Sequence, residues 1–186
     1  MKRSFDLIVS ILLLMLLAVP LILVCFLVLF SSKGSFLYWS QRIGKDNTIF
    51  YMPKFRTMKV DVPEVATHLL ENPSLYYTPL GKFLRKYSID EFPQLYSIIK
   101  GDMSLVGPRP ALYNQEDLIA LRTQAQLHIL VPGITGLAQI SGRDELSVEA
   151  KVQIDKKYMK QKSFLFDLYI IWLTVLKVIK RDGISH

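Results

Sequence analysis

The longest apolar run lies close to the start of the chain. From Leu7 to Phe30 the sequence reads LIVSILLLMLLAVPLILVCFLVLF, with no charge and one hydroxyl, Ser10. As a helix it would be about 36 Å long, enough to cross a bilayer core. It exceeds the roughly 7–15 residues of a signal peptide's apolar region, and no small-x-small cleavage site follows. Pro20 interrupts it, removing a backbone donor and crowding the preceding turn. Two membrane arrangements fit: a spanning helix with a kink, or a re-entrant helix that bends at Pro20 and returns to the face it entered. Lys2 and Arg3 precede the run; Lys33, Arg42 and Lys45 follow it. A spanning helix would send one basic group across the membrane, whereas a hairpin keeps both on the cytoplasmic side. The pattern alone leaves both open, because proline is also common in spanning helices.

Residues 35–58 alternate aromatic-rich segments around GKDN, which predicts a β-hairpin. Residues 59–79 are polar and proline-spotted, an irregular stretch with at most a short helix. GKFLRKY reads as a helix with Phe83, Leu84 and Tyr87 on one side and Lys82, Arg85 and Lys86 on the other. Residues 113–130 read as another helix, and VPGITGLAQISGR as a loop broken by Pro132, Gly133, Gly136 and Gly142. Residues 146–161 are amphipathic and basic. The closing SFLFDLYIIWLTVLKVIK is apolar, but Asp167 interrupts it, and its uncharged part is short for a span. A helix in the core or at a membrane interface is expected there.

The chain has 186 residues, enough for one domain with a real core, and 51% are hydrophobic, which excludes a disordered tail. The net charge of +7 points to an anionic partner: nucleic acid, an anionic membrane or a phosphorylated substrate. The one cysteine, Cys25, excludes an internal disulfide. His68, His128 and His186 are too scattered to make a histidine metal site.

Polar chemistry concentrates in KYSIDEFPQLYSIIKGDMSLVGPRPAL, Lys86 to Leu112. SIDE fits a capping box from Ser88 to Glu91, and DEFP fits acidic residues before a helix starting at Pro93. Either local explanation accounts for one or two of these residues. Neither accounts for Arg109 between Pro108 and Pro110, a frame that would hold a guanidinium for bidentate contact with an anionic oxygen. Lys54, Arg56, Arg85, Lys86 and Arg143 add cationic charge. Neighbouring residues on a helix point about 100° apart, so Asp90 and Glu91 do not form a face-to-face pair sharing a proton. One carboxylate as nucleophile and the other as metal ligand is a better division. A carboxylate nearing a diphosphate meets repulsion of about 1–4 kcal/mol per charge pair at 4 Å. A Mg²⁺ ion and fixed arginines would remove it.

The ordered set KRSFD, QRIG, KFRTM, GKFLRKYSIDEFPQL, GDMSLVGPRPAL and PGITGLAQISGR resembles the small monotopic phosphoglycosyl transferases of bacteria, the polyprenyl-phosphate sugar-1-phosphate transferases. The resemblance covers nearly the whole chain. It implies transfer of sugar-1-phosphate from a UDP-sugar to polyprenyl (undecaprenyl) phosphate with release of UMP. Asp90 would become covalently phosphorylated and polyprenyl phosphate would then displace it. Glu91, beside Asp90, would hold Mg²⁺. Arg109 would meet a phosphate, supported by Arg56 and Arg85, with Arg143 and Asp155 as further members of the set. Lys2, Arg3 and Pro20 would anchor the membrane segment. The resemblance favours the re-entrant form, although Val19-Pro20 stands where the family usually has Ser-Pro. It also implies the family's minimal form, in the bacterial inner (plasma) membrane.

The expected fold is α+β and mainly helical. Residues 1–33 form a re-entrant membrane helix. Residues 34–186 form a catalytic domain on the cytoplasmic face, with a small β-hairpin and amphipathic interfacial helices. A nucleic-acid module has the charge in its favour, but no recognition motif, and the apolar start opposes it, so no nucleic-acid partner is expected. A membrane-anchored phosphohydrolase using the same acyl-phosphate step, or a non-catalytic scaffold, is the alternative. No heptad pattern marks a homodimer, which stays open.

Overall fold

The computed structural model describes residues 1–60, 62, 72–142 and 146–180. Helices α1 (Lys2–Leu16) and α2 (Ala18–Ser31) meet at Leu17 with a bend of 65°. Proline crowds the carbonyl four residues before it and offers it no N–H. For Pro20 that carbonyl belongs to Leu16, so the break falls three residues before the proline rather than at it. Hydrogen bonding resumes on both sides: Leu17 N–H donates to Leu13 O and Leu21 N–H to Leu17 O, each at 2.9 Å. No single helix among the described residues is long and apolar enough to cross a membrane; only the bent pair taken together is.

One side of this pair is part of the protein interior. Phe5, Val9, Leu13 and Leu14 pack on the main core, which includes Met52, Leu95, Ile98, Met103, Val106 and Ile170. Val28 of α2 is buried with Phe55 and Leu84 in a smaller cluster. The other side exposes Leu12, Met15, Leu16, Leu23, Phe26 and Phe30. An apolar face of that extent calls for a non-aqueous neighbour.

Strands β1 (Leu37–Ile43) and β2 (Ile49–Phe55) form the expected antiparallel hairpin, with Leu37 opposite Phe55 and Ile43 opposite Ile49. Asp46 and Asn47 turn it with φ of 54° and 58°, which short polar side chains tolerate. Alternation sets the faces: Phe50 and Met52 point into the core, while Ile49 and Tyr51 are exposed.

Within GKFLRKY, helix α3 (Gly81–Lys86) buries Leu84 and leaves Phe83 exposed against Tyr87, their ring centres 4.8 Å apart. The capping box at SIDE is not formed. Ser88 sits at φ 54°, its side chain makes no cap bond, and its carbonyl accepts from Glu91 N–H at 3.2 Å. A 3-10 turn, Ile89–Gln94, therefore carries the acidic pair and Pro93, and leads into α4 (Leu95–Lys100).

The expected helix over 113–130 is shorter. Helix α5 (Glu116–Gln124) ends where Gln126 takes a left-handed backbone, φ 59°, and a 3-10 turn follows at Leu127–Ile129. The expected loop VPGITGLAQISGR is ordered structure. Strand β4 (Gly133–Thr135) pairs parallel with β3 (Ser104–Val106), and α6 (Leu137–Ser141) follows. The glycines permit close approach here. A Cβ on Gly133 would lie 2.1 Å from Gly107 N, and one on Gly136 would lie 2.1 Å from Gly107 O.

Helix α7 (Val148–Gln161) is capped by Ser147, whose Oγ accepts from Ala150 N–H at 3.2 Å. Helix α8 (Phe164–Lys180) buries Asp167 and Ile170 and exposes Leu165, Tyr169, Trp172, Val175 and Ile179.

Candidate active site

Asp90 and Glu91 lie on the 3-10 turn beneath strand β2, and neither is open to water: Asp90 is 6% exposed and the Glu91 side chain 12%. Oε1 of Glu91 accepts from Arg109 Nη2 at 3.0 Å and from Lys54 Nζ at 3.4 Å. Burial pushes the Asp90 carboxyl up to about 6, against the pull of Lys54. The like charge of Glu91 adds to the rise, and Arg85 and Arg109 oppose it. Burial likewise brings Lys54 down to about 8, opposed by Glu91. At neutral pH the site therefore holds two carboxylates against an ammonium and guanidinium groups, in surroundings where each charge counts more than in water. Lys54, which the sequence marks only as part of a cationic background, is a member of this cluster.

Arg109 is held through its backbone. Strand β3 ends at Val106 and the chain turns through Gly107-Pro108-Arg109-Pro110. The Pro108 carbonyl accepts from Gly133 N–H at 2.9 Å, Arg109's from Arg122 Nη1 at 2.8 Å, Pro110's from Arg42 Nη1 at 3.2 Å, and Ala111's from Ile43 N–H at 3.0 Å. Three elements, β4, α5 and β1, thus fix one short loop whose prolines already restrict it.

Asp155 acts through this loop. It is 1% exposed on α7 and its Oδ2 accepts from Arg122 Nε and Nη2 at 3.0 and 2.7 Å. The Arg122 that it orients is the residue gripping the Arg109 carbonyl. Asp155 therefore lies behind the Arg109 loop and reaches it through Arg122. Arg122 has no mark in the sequence: it lies in an ordinary helical segment with no motif spacing to Arg109 or Asp155.

Arg85 donates from Nε to Thr57 Oγ1 at 2.9 Å and from Nη2 to Met58 Sδ at 3.4 Å, lies over the Tyr77 ring, and its charge reaches Asp90. Arg56 is engaged elsewhere, donating to the carbonyls of Ser35 (2.7 Å) and Leu37 (3.5 Å) beside the Tyr38 ring. These contacts bind the end of β2 to the chain entering β1. Arg143 lies outside the described residues.

Of the residues expected to anchor the membrane segment, Lys2 and Arg3 bond to other parts of the chain. Lys2 pairs with Asp167 and donates to Val106 O at 3.1 Å, and Arg3 donates to the carbonyl of Ile99 at 2.8 Å and to that of Ile98, at the end of α4. Asp6 is buried and accepts from Ser104 Oγ at 2.8 Å. Pro20 sets the bend described above. Lys2, Arg3 and Asp6 of KRSFD thus tie the apolar helix to β3, α4 and α8.

The cluster can attract a phosphoryl group and present a carboxylate oxygen to it. No group of three or more His, Cys, Asp or Glu among the described residues could hold a metal ion. Mg²⁺ usually takes one or two protein carboxylates and completes its shell with substrate phosphates and water, and Asp90 with Glu91 supplies such a hard-oxygen pair.

Residues 1–181 match the family described as bacterial sugar transferase. The exopolysaccharide production protein ExoY of Sinorhizobium fredii is 39% identical, over 98% of this chain and 87% of its own length. The uncharacterized sugar transferase EpsL of Bacillus subtilis is 43% identical, over 100% and 91%. The undecaprenyl-phosphate galactose phosphotransferase of Salmonella typhimurium is 34% identical over 98% of this chain, which spans 41% of that longer protein.

Proposed function

The chain belongs to the bacterial sugar transferase family, and from that premise we propose that it transfers a sugar-1-phosphate from a UDP-sugar to polyprenyl phosphate, releasing UMP. The observation that carries this reading is the buried Asp90 beside Glu91, facing Lys54, Arg85 and Arg109. The printed name of the Salmonella relative, an undecaprenyl-phosphate galactose phosphotransferase, supports the acceptor.

In the first step an Asp90 carboxylate oxygen bonds to the phosphorus that bears the sugar. The bond from that phosphorus to the bridging oxygen breaks and UMP departs with the electron pair. In the second step a phosphate oxygen of the polyprenyl phosphate attacks the same phosphorus. The acyl-phosphate bond breaks, Asp90 is again a carboxylate, and a polyprenyl-diphosphate sugar results. Arg109, fixed through its carbonyl, offers its guanidinium to the phosphate oxygens, while Lys54 and Arg85 keep Asp90 ionised. Mg²⁺ held by Asp90 and Glu91 would supply neutralising charge for the diphosphate and the departing UMP.

The apolar outer face of α1 and α2 sits in the bilayer as a re-entrant pair, and the Leu165–Trp172–Ile179 side of α8 rests on its surface. With the helices so seated, the proposed chemistry takes place at the cytoplasmic face of a bacterial plasma membrane, next to the lipid phosphate.

The test is an assay of the full chain with polyprenyl phosphate and a panel of UDP-sugars. Mass spectrometry with donor alone should find one sugar-phosphate adduct, on Asp90, with one UMP released per enzyme. Asp90→Asn should abolish both the adduct and turnover. Turnover near wild type in that variant, or free sugar phosphate in place of a lipid-linked product, overturns the proposal.

A further inference from the structure

The loop that carries Arg109 has one more set of restraints, and it comes from the membrane helix. The Val106 carbonyl, one residue before Gly107-Pro108-Arg109, accepts from Lys2 Nζ at 3.1 Å, and the Tyr158 hydroxyl lies 3.4 Å from it. The two donors meet on one carboxylate: Lys2 pairs with Asp167 Oδ2, and Tyr158 Oη donates to Oδ1 at 2.8 Å. The Asp167 side chain is 5% exposed and Tyr158 is 2% exposed. Four elements therefore converge on one point: the first turn of α1, the end of β3, α7 and the first turn of α8.

The Lys2 side chain is 29% exposed, so the pair is half-buried, and such a pair is poor evidence of stabilisation in itself, since desolvating its charges offsets much of their attraction. What it supplies is direction. Asp167 takes the one phenolic proton of Tyr158 and holds the Lys2 ammonium where it points at Val106, and that peptide sets the exit angle of the loop. Resting on the phosphate-transfer reading above, we propose that Lys2, Tyr158 and Asp167 are positioning residues for Arg109. Through them the membrane-embedded helix is part of the active-site frame as well as an anchor. A shift of Val106 moves the guanidinium, because Gly107 N–H is itself held by Thr135 O at 2.9 Å and leaves the loop little slack.

The experiment is a double-mutant cycle on the full chain in detergent or nanodiscs, with polyprenyl phosphate and the best UDP-sugar from the panel. Lys2→Met removes the donor to Val106. Tyr158→Phe removes the hydroxyl that holds Asp167 behind Lys2 while keeping the ring against Phe166, and it serves where Lys2→Met does not fold. Each should lower kcat about tenfold, the scale expected when a catalytic group is displaced by a fraction of an ångström. In an Arg109→Lys background, where the fork that needs aiming is gone, the same change should cost less than about twofold. Turnover within about twofold of wild type in the folded variants overturns the inference. So does a full loss that adds to that of Arg109→Lys, the mark of a general structural role. Asp90→Asn, assayed alongside, keeps the two proposals apart. If it retains turnover, the phosphate-transfer reading falls; if it is inactive while Lys2→Met and Tyr158→Phe are not, only the positioning inference falls.

Discussion

Replacing Arg122 and Asp155 together, as Arg122→Met with Asp155→Leu, should separate stability from turnover. Removing one partner alone is a poor probe. Asp155 is 1% exposed, and Arg122→Met would leave its carboxylate buried without the guanidinium that donates to it at 3.0 and 2.7 Å. Such an uncompensated charge costs about 3–5 kcal/mol, enough to confuse folding with catalysis. The double replacement strands no charge. Burial raises the Asp155 carboxyl above its ordinary value although Arg122 pulls it down, so the pairing does not fully offset desolvation. Apolar side chains of similar volume should then leave stability unchanged, or raise it by about 1–4 kcal/mol. The remaining loss is local: the Arg109 carbonyl loses its 2.8 Å donor, a hydrogen bond from a charged group worth about 1.5–3 kcal/mol. If half of that reaches the transition state, kcat falls about 4- to 12-fold. Thermal unfolding and turnover, measured on the same preparation, check both halves. Turnover within about twofold of wild type refutes the positioning of Arg109 by this pair. A drop in unfolding temperature that parallels the activity loss refutes the claim that the pair gives geometry rather than stability.

Gly136→Ala should destabilise by about 1–3 kcal/mol, because its Cβ would lie 2.1 Å from Gly107 O and the obstacle is backbone; an unfolding temperature equal to wild type would show that β4 and the loop separate easily. In a Cys25→Ser background, cysteines placed at Ser4 and Lys33 should both label from the cytoplasmic side with a membrane-impermeant maleimide. Labelling from opposite sides would mean that α1 and α2 span the bilayer despite the 65° bend.

Much of the site was legible because its chemistry is local. Asp90 and Glu91 are neighbours, and Pro108 and Pro110 flank Arg109, so the segment stands out in the sequence, while the roles expected of these residues come from the family resemblance. The hairpin and α7 were legible because alternation and amphipathic spacing are also local signals. The acidic pair was not legible as a 3-10 turn, since Ser88 in a left-handed backbone leaves no trace in a sequence that equally fits a capping box. Strands β3 and β4 have three residues each, too few to show a period, and their glycines read as breaks when in fact they admit a neighbouring backbone. Arg122 reaches Asp155 across 33 positions and Lys2 reaches Asp167 across 165. Only the folded chain brings such partners together.

Under the proposed function the hidden contacts share one purpose, and it explains why charged residues sit so deep behind the site. A guanidinium that meets phosphate must be strongly charged and narrowly aimed, yet its side chain is long and loses rotamer freedom when held. Fixing the backbone beneath it reduces that loss before substrate arrives. From Val106 to Ala111, the carbonyls of Val106, Pro108, Arg109, Pro110 and Ala111 accept from α1, β4, α5 and β1. No one of these donors is close to Arg109 in sequence, so the loop is rigid only when the whole fold, including the first turn of the apolar helix, is assembled. Detaching that helix should therefore weaken phosphate recognition even though it contributes no side chain to the acidic pair.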